Sequence, residues 1–138
     1  MSLNISNSLR KVIQTALSTL KSTYDIKEVS YRVASDDAMY PHIVYHIDSI
    51  SPTDMGRNDF LLDIDVWDKG EAERALEIAD AIRVMFAFWN TPQEDILPTF
   101  YDMSSGQVDD PDRTLVHYVL RIQGQVYKGD ITNGWIIH

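Results

Sequence analysis

The sequence predicts an α+β fold in which an antiparallel β-sheet is packed on one face by two α-helices. Apolar residues recur at helical spacing in two separate stretches, one near the N-terminus and one in the middle of the chain. Between and after these stretches, apolar and polar residues alternate as they do in half-buried strands. The chain has 138 residues, which is the length of one domain, and residues 1–138 are therefore predicted to form a single domain.

The first predicted helix covers residues 5–21, where Asn4 or Ser6 can cap the start and Lys21 suits the negative end of the helix dipole. Residues 25–34 follow as a predicted strand. The apolar stripe of the helix consists of Ile5, Leu9, Val12, Ile13, Ala16, Leu17 and Leu20.

Two β-rich stretches, residues 42–50 and 59–67, predict an antiparallel strand pair across a polar loop at 51–58. Pro52 and Gly56 interrupt that loop, as is typical of turns. The second strand leads directly into the second predicted helix.

Asp68 and Glu71 have the spacing of a capping box and are expected to cap this second helix. The helix ends before Pro92. Its predicted buried stripe is Ala72, Ala75, Leu76, Ala79, Ile82, Phe86 and Trp89, and its predicted solvent face is Glu73, Arg74, Glu77, Asp80 and Arg83.

The remaining third of the chain predicts mostly strands. Residues 91–113 are rich in turn formers and acids, with one strand within 96–108. A long alternating strand runs from Thr114 to Tyr127, and a short last strand from Ile131 to Ile137. A sheet of so few strands must leave at least one long edge open or pair it with another copy of the chain.

The composition excludes several classes of function. The net charge of −9 argues against nucleic-acid binding through the overall field, and the absence of cysteine excludes disulfides and thiolate chemistry. No apolar run reaches 18 residues, and no basic segment precedes an apolar one, which argues against a membrane span and a signal peptide.

The histidines offer weak metal-site candidates. His42 and His46 lie on one face of a predicted strand, about 13 Å apart by strand rise, too far for one ion. His117 can approach from another strand, but no motif such as His-Glu-x-x-His is present. The spacing therefore favours structural or surface histidines.

Two acidic sets have alternative interpretations. Asp63 and Asp65 share a strand face and can hold a cation or act as an acid–base pair. Their alternation with Phe60, Leu62, Ile64 and Val66 favours the solvent side of a half-buried sheet. Asp109, Asp110 and Asp112 lack the spacing of a calcium loop. We therefore predict no catalytic, metal-binding or cofactor-binding residue.

The order of short motifs resembles the tail-completion, or tail terminator, family of long-tailed phages and prophages. Tyr40-Pro41 precedes the strand Ile43-Val44-Tyr45, and a Gly-containing loop follows. A strand ending in Asp65-Val66-Trp67-Asp68 then leads into a helix rich in Glu, Ala and Ile. An acidic loop with Asp112-Arg113 precedes the long strand from Thr114, so the resemblance covers about residues 3–127.

This resemblance implies a non-enzymatic structural subunit of the virion, assembled in the host cytoplasm. Members form a homo-oligomeric ring, often a hexamer, at the head-proximal end of the tail. The ring ends polymerisation of the tail tube protein and presents a surface to the head completion or connector protein. DNA is expected to pass through the ring without specific binding.

A closed ring needs a heterologous interface, in which one surface patch contacts a different patch on the next copy. We predict that two loops form this interface. Residues 51–59 offer Asp54, Met55 and Arg57, and residues 102–113 offer Asp109, Asp110, Asp112 and Arg113. Solvated surface is the alternative for both loops. Three other functions remain open: a head–tail connector of the same neck, a metal-assisted small enzyme using Asp63 and Asp65, and a small-molecule binding module.

Overall fold

The chain folds into three helices and five strands in the part that the computed structural model describes, which is residues 2–52, 57–70, 72–89, 93 and 96–128. This confirms the predicted α+β class. In chain order the elements are α1 (Ser2–Ser18), α2 (Lys21–Tyr24), β1 (Glu28–Tyr31), β2 (His42–Pro52), β3 (Arg57–Lys69), α3 (Ala72–Ala87), β4 (Ile96–Val108) and β5 (Leu115–Lys128). The predicted last strand, residues 131–137, lies outside the described residues.

The five strands form one sheet in the order β1-β2-β3-β5-β4. β2, β3, β5 and β4 pair antiparallel, whereas β1 pairs parallel to β2, with Glu28 opposite His42. The sheet is therefore mixed, and the prediction of a purely antiparallel sheet was wrong for β1. Side-chain alternation is the same in both directions of pairing, so the sequence pattern held no information on this point.

The first predicted helix is divided in the structure. α1 ends at Ser18, where the Thr19 hydroxyl donates to the Ala16 carbonyl over 2.6 Å. α2 then forms a single further turn that ends at Asp25 in the left-handed conformation. Lys21 thus begins α2 and does not end α1.

The core lies between α1, α3 and one face of the sheet. All the predicted stripe residues of α1 are buried except Leu20, which is partly buried. In α3 the stripe is Ala75, Ile78, Ala79, Ile82 and Phe86. Leu76, predicted as buried, is 43% exposed because it lies about 100° around the helix from Ala75. Ile78 takes the core position instead.

Asp68 does not cap α3 as predicted. It belongs to β3, and its side chain is fully buried on the core face of the sheet. Its Oδ2 and Oδ1 accept from Nε and Nη2 of Arg74 at 2.7 and 2.8 Å. The carboxylate therefore fixes the start of α3 against the strand through a side-chain ion pair.

β4 is longer than the sequence indicated. The strand predicted within 96–108 spans all of Ile96–Val108 and pairs with β5 along its length, with a register shift between Phe100 and Asp102. Pairing with a long apolar strand supplies the backbone hydrogen bonds, so the polar residues 104–107 need little strand propensity of their own.

Candidate functional site

One face of the sheet is turned away from the core, and we call it the open face. Even-numbered residues of β3 such as Phe60 and Leu62 are buried in the core, whereas Asp63 and Asp65 alternate with them on the open face. This confirms the predicted placement of the two carboxylates. Their side chains are nevertheless only 16% and 26% exposed, since residues of the neighbouring strands cover them.

A row of four rings crosses one end of the open face. Trp67 stacks on His117, with ring centroids 3.8 Å apart, and His42 lies 6.4 Å from Trp67 on the other side. Tyr40 extends the row from His42 at 5.0 Å. His117 also contacts Asp65, with Nε2 2.6 Å from Oδ1. Cross-strand pairs of this kind stabilise a sheet, so His42 and His117 have structural roles here.

A second histidine lies next to a pair of carboxylates. His46 Nε2 is 3.4 Å from Asp63 Oδ2 and 3.8 Å from Asp48 Oδ1, and the three ligand atoms lie within 4.8 Å of one another. Such a set is able to hold a divalent cation. Arg121 competes for the site, because its Nε is 3.6 Å from Asp63 Oδ1. Sequence reasoning missed Asp48, although it lies two residues from His46 on the same strand. The pairing of β2 with β3 adds Asp63 to this set.

The two carboxylates that the enzyme hypothesis joins have different contacts. Asp63 contacts His46 and Arg121, whereas Asp65 contacts His117. Each carboxylate thus has its own histidine.

The first predicted interaction loop is shorter than expected. β2 continues to Pro52 and β3 begins at Arg57, so only residues 53–56 connect them. Asp54 and Met55 lie outside the described residues. Arg57 is a strand residue, and its Nε is 3.4 Å from Asp59 Oδ1.

The second predicted loop is also reduced, because β4 continues to Val108. We call residues 109–113 the acidic turn. Asp110 Oδ1 accepts from the Asp112 backbone N–H over 2.9 Å, and Asp112 Oδ1 accepts from the backbone N–H and hydroxyl of Thr114. The hydrogen bond from the Thr114 hydroxyl, with that from its N–H, holds the pKa of Asp112 below its ordinary value. The turn is therefore ordered by its own carboxylates.

The carboxylates of the acidic turn form no close ion pair within the described part of the chain. Asp109 and Asp112 are exposed, and no described Lys, Arg or His forms an ion pair with Asp109, Asp110 or Asp112. The predicted interaction residues Asp109, Asp110, Asp112 and Arg113 thus share one short turn between β4 and β5.

A cavity of about 570 Å³ lies between α1 and the β1 edge of the sheet. We call it the cationic cleft. The guanidinium carbons of Arg10 and Arg32 lie 5.4 and 5.5 Å from the centroid of the Tyr31 ring, which is cation–π geometry. The residues that line the cationic cleft are Arg10, Lys11, Gln14, Thr15, Tyr31 and Tyr45.

The floor of the cationic cleft is neutral. The buried Tyr45 hydroxyl donates to Gln14 Oε1 over 2.6 Å, and burial raises the pKa of Tyr45 to about 12. The cleft was not predicted from the sequence. A signal for it existed, since residues 1–24 contain Arg10, Lys11 and Lys21 but no acid, in a chain with 21 acids.

None of the described helices is both long enough and apolar enough to cross a lipid bilayer.

Neither a protein-family model nor a curated protein matches the chain, but solved structures do. The chain is similar to the bacteriophage SPP1 gp17 protein, with a TM-score of 0.60 and 17% sequence identity over 94% of each chain. It is also similar to a chain in the virion of a native gene transfer agent particle, with a TM-score of 0.54 and 14% identity over 80% of this chain and 84% of that one. At these identities the likeness shows a shared fold.

Proposed function

We propose that this chain is a structural subunit of a phage or prophage neck and tail, acting as a tail terminator. In this role a homo-oligomeric ring, in our proposal a hexamer, caps the tail tube, ends its polymerisation and provides the head-joining surface. The observation that carries the proposal is the fold shared with a bacteriophage protein over 94% of both chains. The likeness to a chain of a virion and the order of sequence motifs support it.

The sheet offers surfaces that suit assembly. Among the described strands, β1 and β4 lie at the two edges of the sheet, and β4 is 13 residues long. Edge strands leave backbone donors and acceptors for a partner. The acidic turn follows the end of β4. The partners of the ring are further copies of the chain, the tail tube protein and the head completion or connector protein.

Electron microscopy of the purified chain mixed with tail-tube polymers tests the proposal directly. We expect density at one end of each tube and not along its wall. Deletion of the gene should give tails of uncontrolled length. Tails of normal length that fail to join heads would instead identify a head–tail connector, which is the nearest alternative within the same neck.

The net charge of −9 leads to a proposal about the lumen. If acidic side chains line it, DNA passing through the ring is repelled from the wall and does not bind. A ring structure with a neutral or basic lumen would contradict this part of the proposal.

The metal-assisted enzyme is the rival of a different class. It requires Asp63 and Asp65 to act together, whereas the two carboxylates contact different histidines. Metal analysis of the purified protein, together with loss of a defined activity in a folded Asp65→Asn variant, would be needed to support it. Tube-end binding that persists in Asp65→Asn supports the structural role.

A further inference from the structure

The charge of this chain is unevenly distributed. Residues 1–24 carry only cations, at Arg10, Lys11 and Lys21, so all 21 acids lie in the rest of the chain. Arg10 and Lys11 are exposed on α1 and border the cationic cleft. Arg32, which immediately follows β1, contacts the ring of Tyr31, which lines the same cleft.

The cations of the cleft lack acidic partners within the described residues. Lys27, Arg57, Arg74, Arg83 and Arg121 each lie within 4 Å of a carboxylate. No described carboxylate lies that close to Arg10, Lys11 or Arg32. A cluster of unneutralised guanidinium groups in an acidic protein is a recognition surface for carboxylates, which Arg binds with a planar pair of donors.

The backbone around Arg32 is held in an uncommon conformation. Its φ of 72° lies in the left-handed region that non-glycine residues rarely adopt. The segment that follows is tied to β1, because the Ser35 N–H and hydroxyl donate to the Glu28 carboxylate. Such a conformation persists where its surroundings fix it. Here the Arg32 guanidinium lies over Tyr31, a lining residue of the cleft.

Charge complementarity and the topology of the sheet identify the occupant. The acidic turn carries three carboxylates without an ion-pair partner in the described structure, and it follows β4 at one edge of the sheet. The cationic cleft lies at the other edge, beside β1. Each copy can therefore bind one neighbour through its acidic turn and a second neighbour through its cationic cleft. That is the heterologous contact a ring requires.

The cationic cleft and the acidic turn also lie at different positions along the strand direction. Tyr31 lies in the same cross-strand row as Ser105, whereas the acidic turn begins after Val108. Three residues of strand correspond to about 10 Å. A contact between the acidic turn of one copy and the cleft of the next would therefore offset neighbouring sheets by about this distance along the strands, as strands in closed barrels are staggered.

We propose that the acidic turn of one copy, through Asp109 and Asp110, binds the cationic cleft of the adjacent copy, through Arg10, Lys11 and Arg32. This inference rests on the proposed function and adds the contact that closes the ring. The charged pairs set the register between neighbours, which is the usual contribution of electrostatic complementarity to an interface.

Single charge reversals give the first test. Arg10→Glu and Asp109→Arg should each weaken self-association by at least about tenfold, measured by sedimentation velocity. Lys11→Glu is a second variant of the same cleft. Lys21→Glu is the matched control, because it makes the same charge change in the same cationic segment outside the cleft. It should change self-association less than about twofold.

Complementation gives the decisive test. A cleft-reversed chain (Arg10→Glu, Lys11→Glu) and a turn-reversed chain (Asp109→Arg, Asp110→Arg) should each fail to assemble alone. An equimolar mixture restores both kinds of contact, so alternating rings should form again. A single chain with all four reversals should also assemble. Failure of the mixture and of the fourfold variant, with each chain folded by circular dichroism, overturns the inference.

The outcomes separate this inference from the proposed function. A wild-type chain that neither self-associates nor binds tube ends overturns both. A wild-type chain that caps tubes, with rings that survive Arg10→Glu and Asp109→Arg, overturns the inference alone. Retention of a fluorescein-labelled DNA duplex that is lost in Arg10→Glu, while the ring stays intact, identifies the cleft as a DNA contact and also overturns the inference.

Discussion

Asp68 is a buried carboxylate whose charge is balanced by one cation. The side chain is fully buried, and Arg74 approaches both of its oxygens while remaining 36% exposed. The Lys69 backbone N–H also donates to Oδ1 over 2.7 Å. Because one partner is buried and the other reaches solvent, the two members of this pair are not equivalent in their effect on stability.

Removing the Arg74 cation should therefore lower the free energy of unfolding more than removing the Asp68 charge. We expect Arg74→Met to lower the free energy of unfolding by about 3 kcal/mol, since it leaves a buried charge unpaired. Asp68→Asn should cost about 1–2 kcal/mol, because Arg74 can turn to solvent. Urea denaturation measures both.

Arg83→Met is the matched control on the same helix. Arg83 pairs with Asp80 at 3.0 Å, and both side chains are about half exposed. Arg83→Met should lower the free energy of unfolding by less than about 1 kcal/mol. Equal losses for Arg74→Met and Arg83→Met would contradict the role given to burial.

Glu28 is the second residue whose ionisation matters. Hydrogen bonds from the Ser30 hydroxyl, and from the hydroxyl and N–H of Ser35, lower its pKa from 4.5 to about 2. A carboxyl with a lowered pKa in the folded state stabilises the fold when it is ionised. This stabilisation is complete above about pH 5 and is lost as the pH falls from about 4.5 towards 2.

Glu28→Gln should remove this pH-dependent component. The variant should be less stable than the wild-type chain at pH 7, and the difference should shrink as the pH falls through the same window. Urea denaturation at pH 7, 4 and 2.5 measures it. A difference that stays constant over this range would show that the ionised carboxylate is not what stabilises the β1–β2 connection.

At the scale of elements, the β4–β5 pair depends on one glycine. Gly124 lies opposite Phe100 in the register of the two strands. A Cβ added there would collide with the ring of Phe60 and would lie 2.6 Å from the carbonyl oxygen of Thr99. The Phe60 and Phe100 rings meet edge to face with centroids 5.6 Å apart, and they depend on this close approach.

Gly124→Ala should therefore destabilise the fold by about 1–3 kcal/mol, because the aromatic rings must move to accommodate a methyl group. Gly106→Ala is the control in the facing strand, since nothing lies within 4 Å of its added Cβ. It should be neutral or slightly stabilising. Thermal unfolding distinguishes the two, and a neutral Gly124→Ala would contradict the packing described here.

The buried faces of α1 and α3 were not predicted equally well from the spacing of apolar residues. The stripe of α1 was predicted almost completely, because a helix with one buried face must repeat apolar residues at fixed spacing. In α3 the same logic assigned Leu76 to the core in place of Ile78. The apolar residues of α3 occupy more of the helix circumference than those of α1, so their spacing alone did not determine which side of α3 faces the sheet.

At the scale of the whole molecule, the uneven charge makes assembly sensitive to salt. The cationic cleft and the acidic turn are exposed, and they lie at opposite edges of the sheet. Interactions between exposed charges are screened as the Debye length falls from about 10 Å at 0.1 M salt to about 3 Å at 1 M.

We therefore expect rings to dissociate between 0.1 and 1 M NaCl, measured by sedimentation velocity. The fourfold charge-reversed chain should show the same salt dependence, because it forms the same pairs in the opposite sense. Assembly that strengthens with salt would instead indicate an apolar interface, for which the exposed Val84 of α3 and Phe88, which immediately follows α3, are the candidates.

The sequence by itself determined the class of fold, the two main helices, the central strands and the side of β3 on which Asp63 and Asp65 lie. These are local properties, because the period of apolar residues reports which face of an element is buried. For the loop predicted at 102–113, it left an interaction surface and solvated surface as alternatives.

Only the tertiary structure decided which distant residues meet. The parallel pairing of β1, the contacts of Asp63 with His46 and of Asp65 with His117, and the cationic cleft all depend on strand order and register. Residues that contact each other across a sheet are separated by tens of positions along the chain. No local pattern encodes that separation, because pairing is selected by the packing of the whole core.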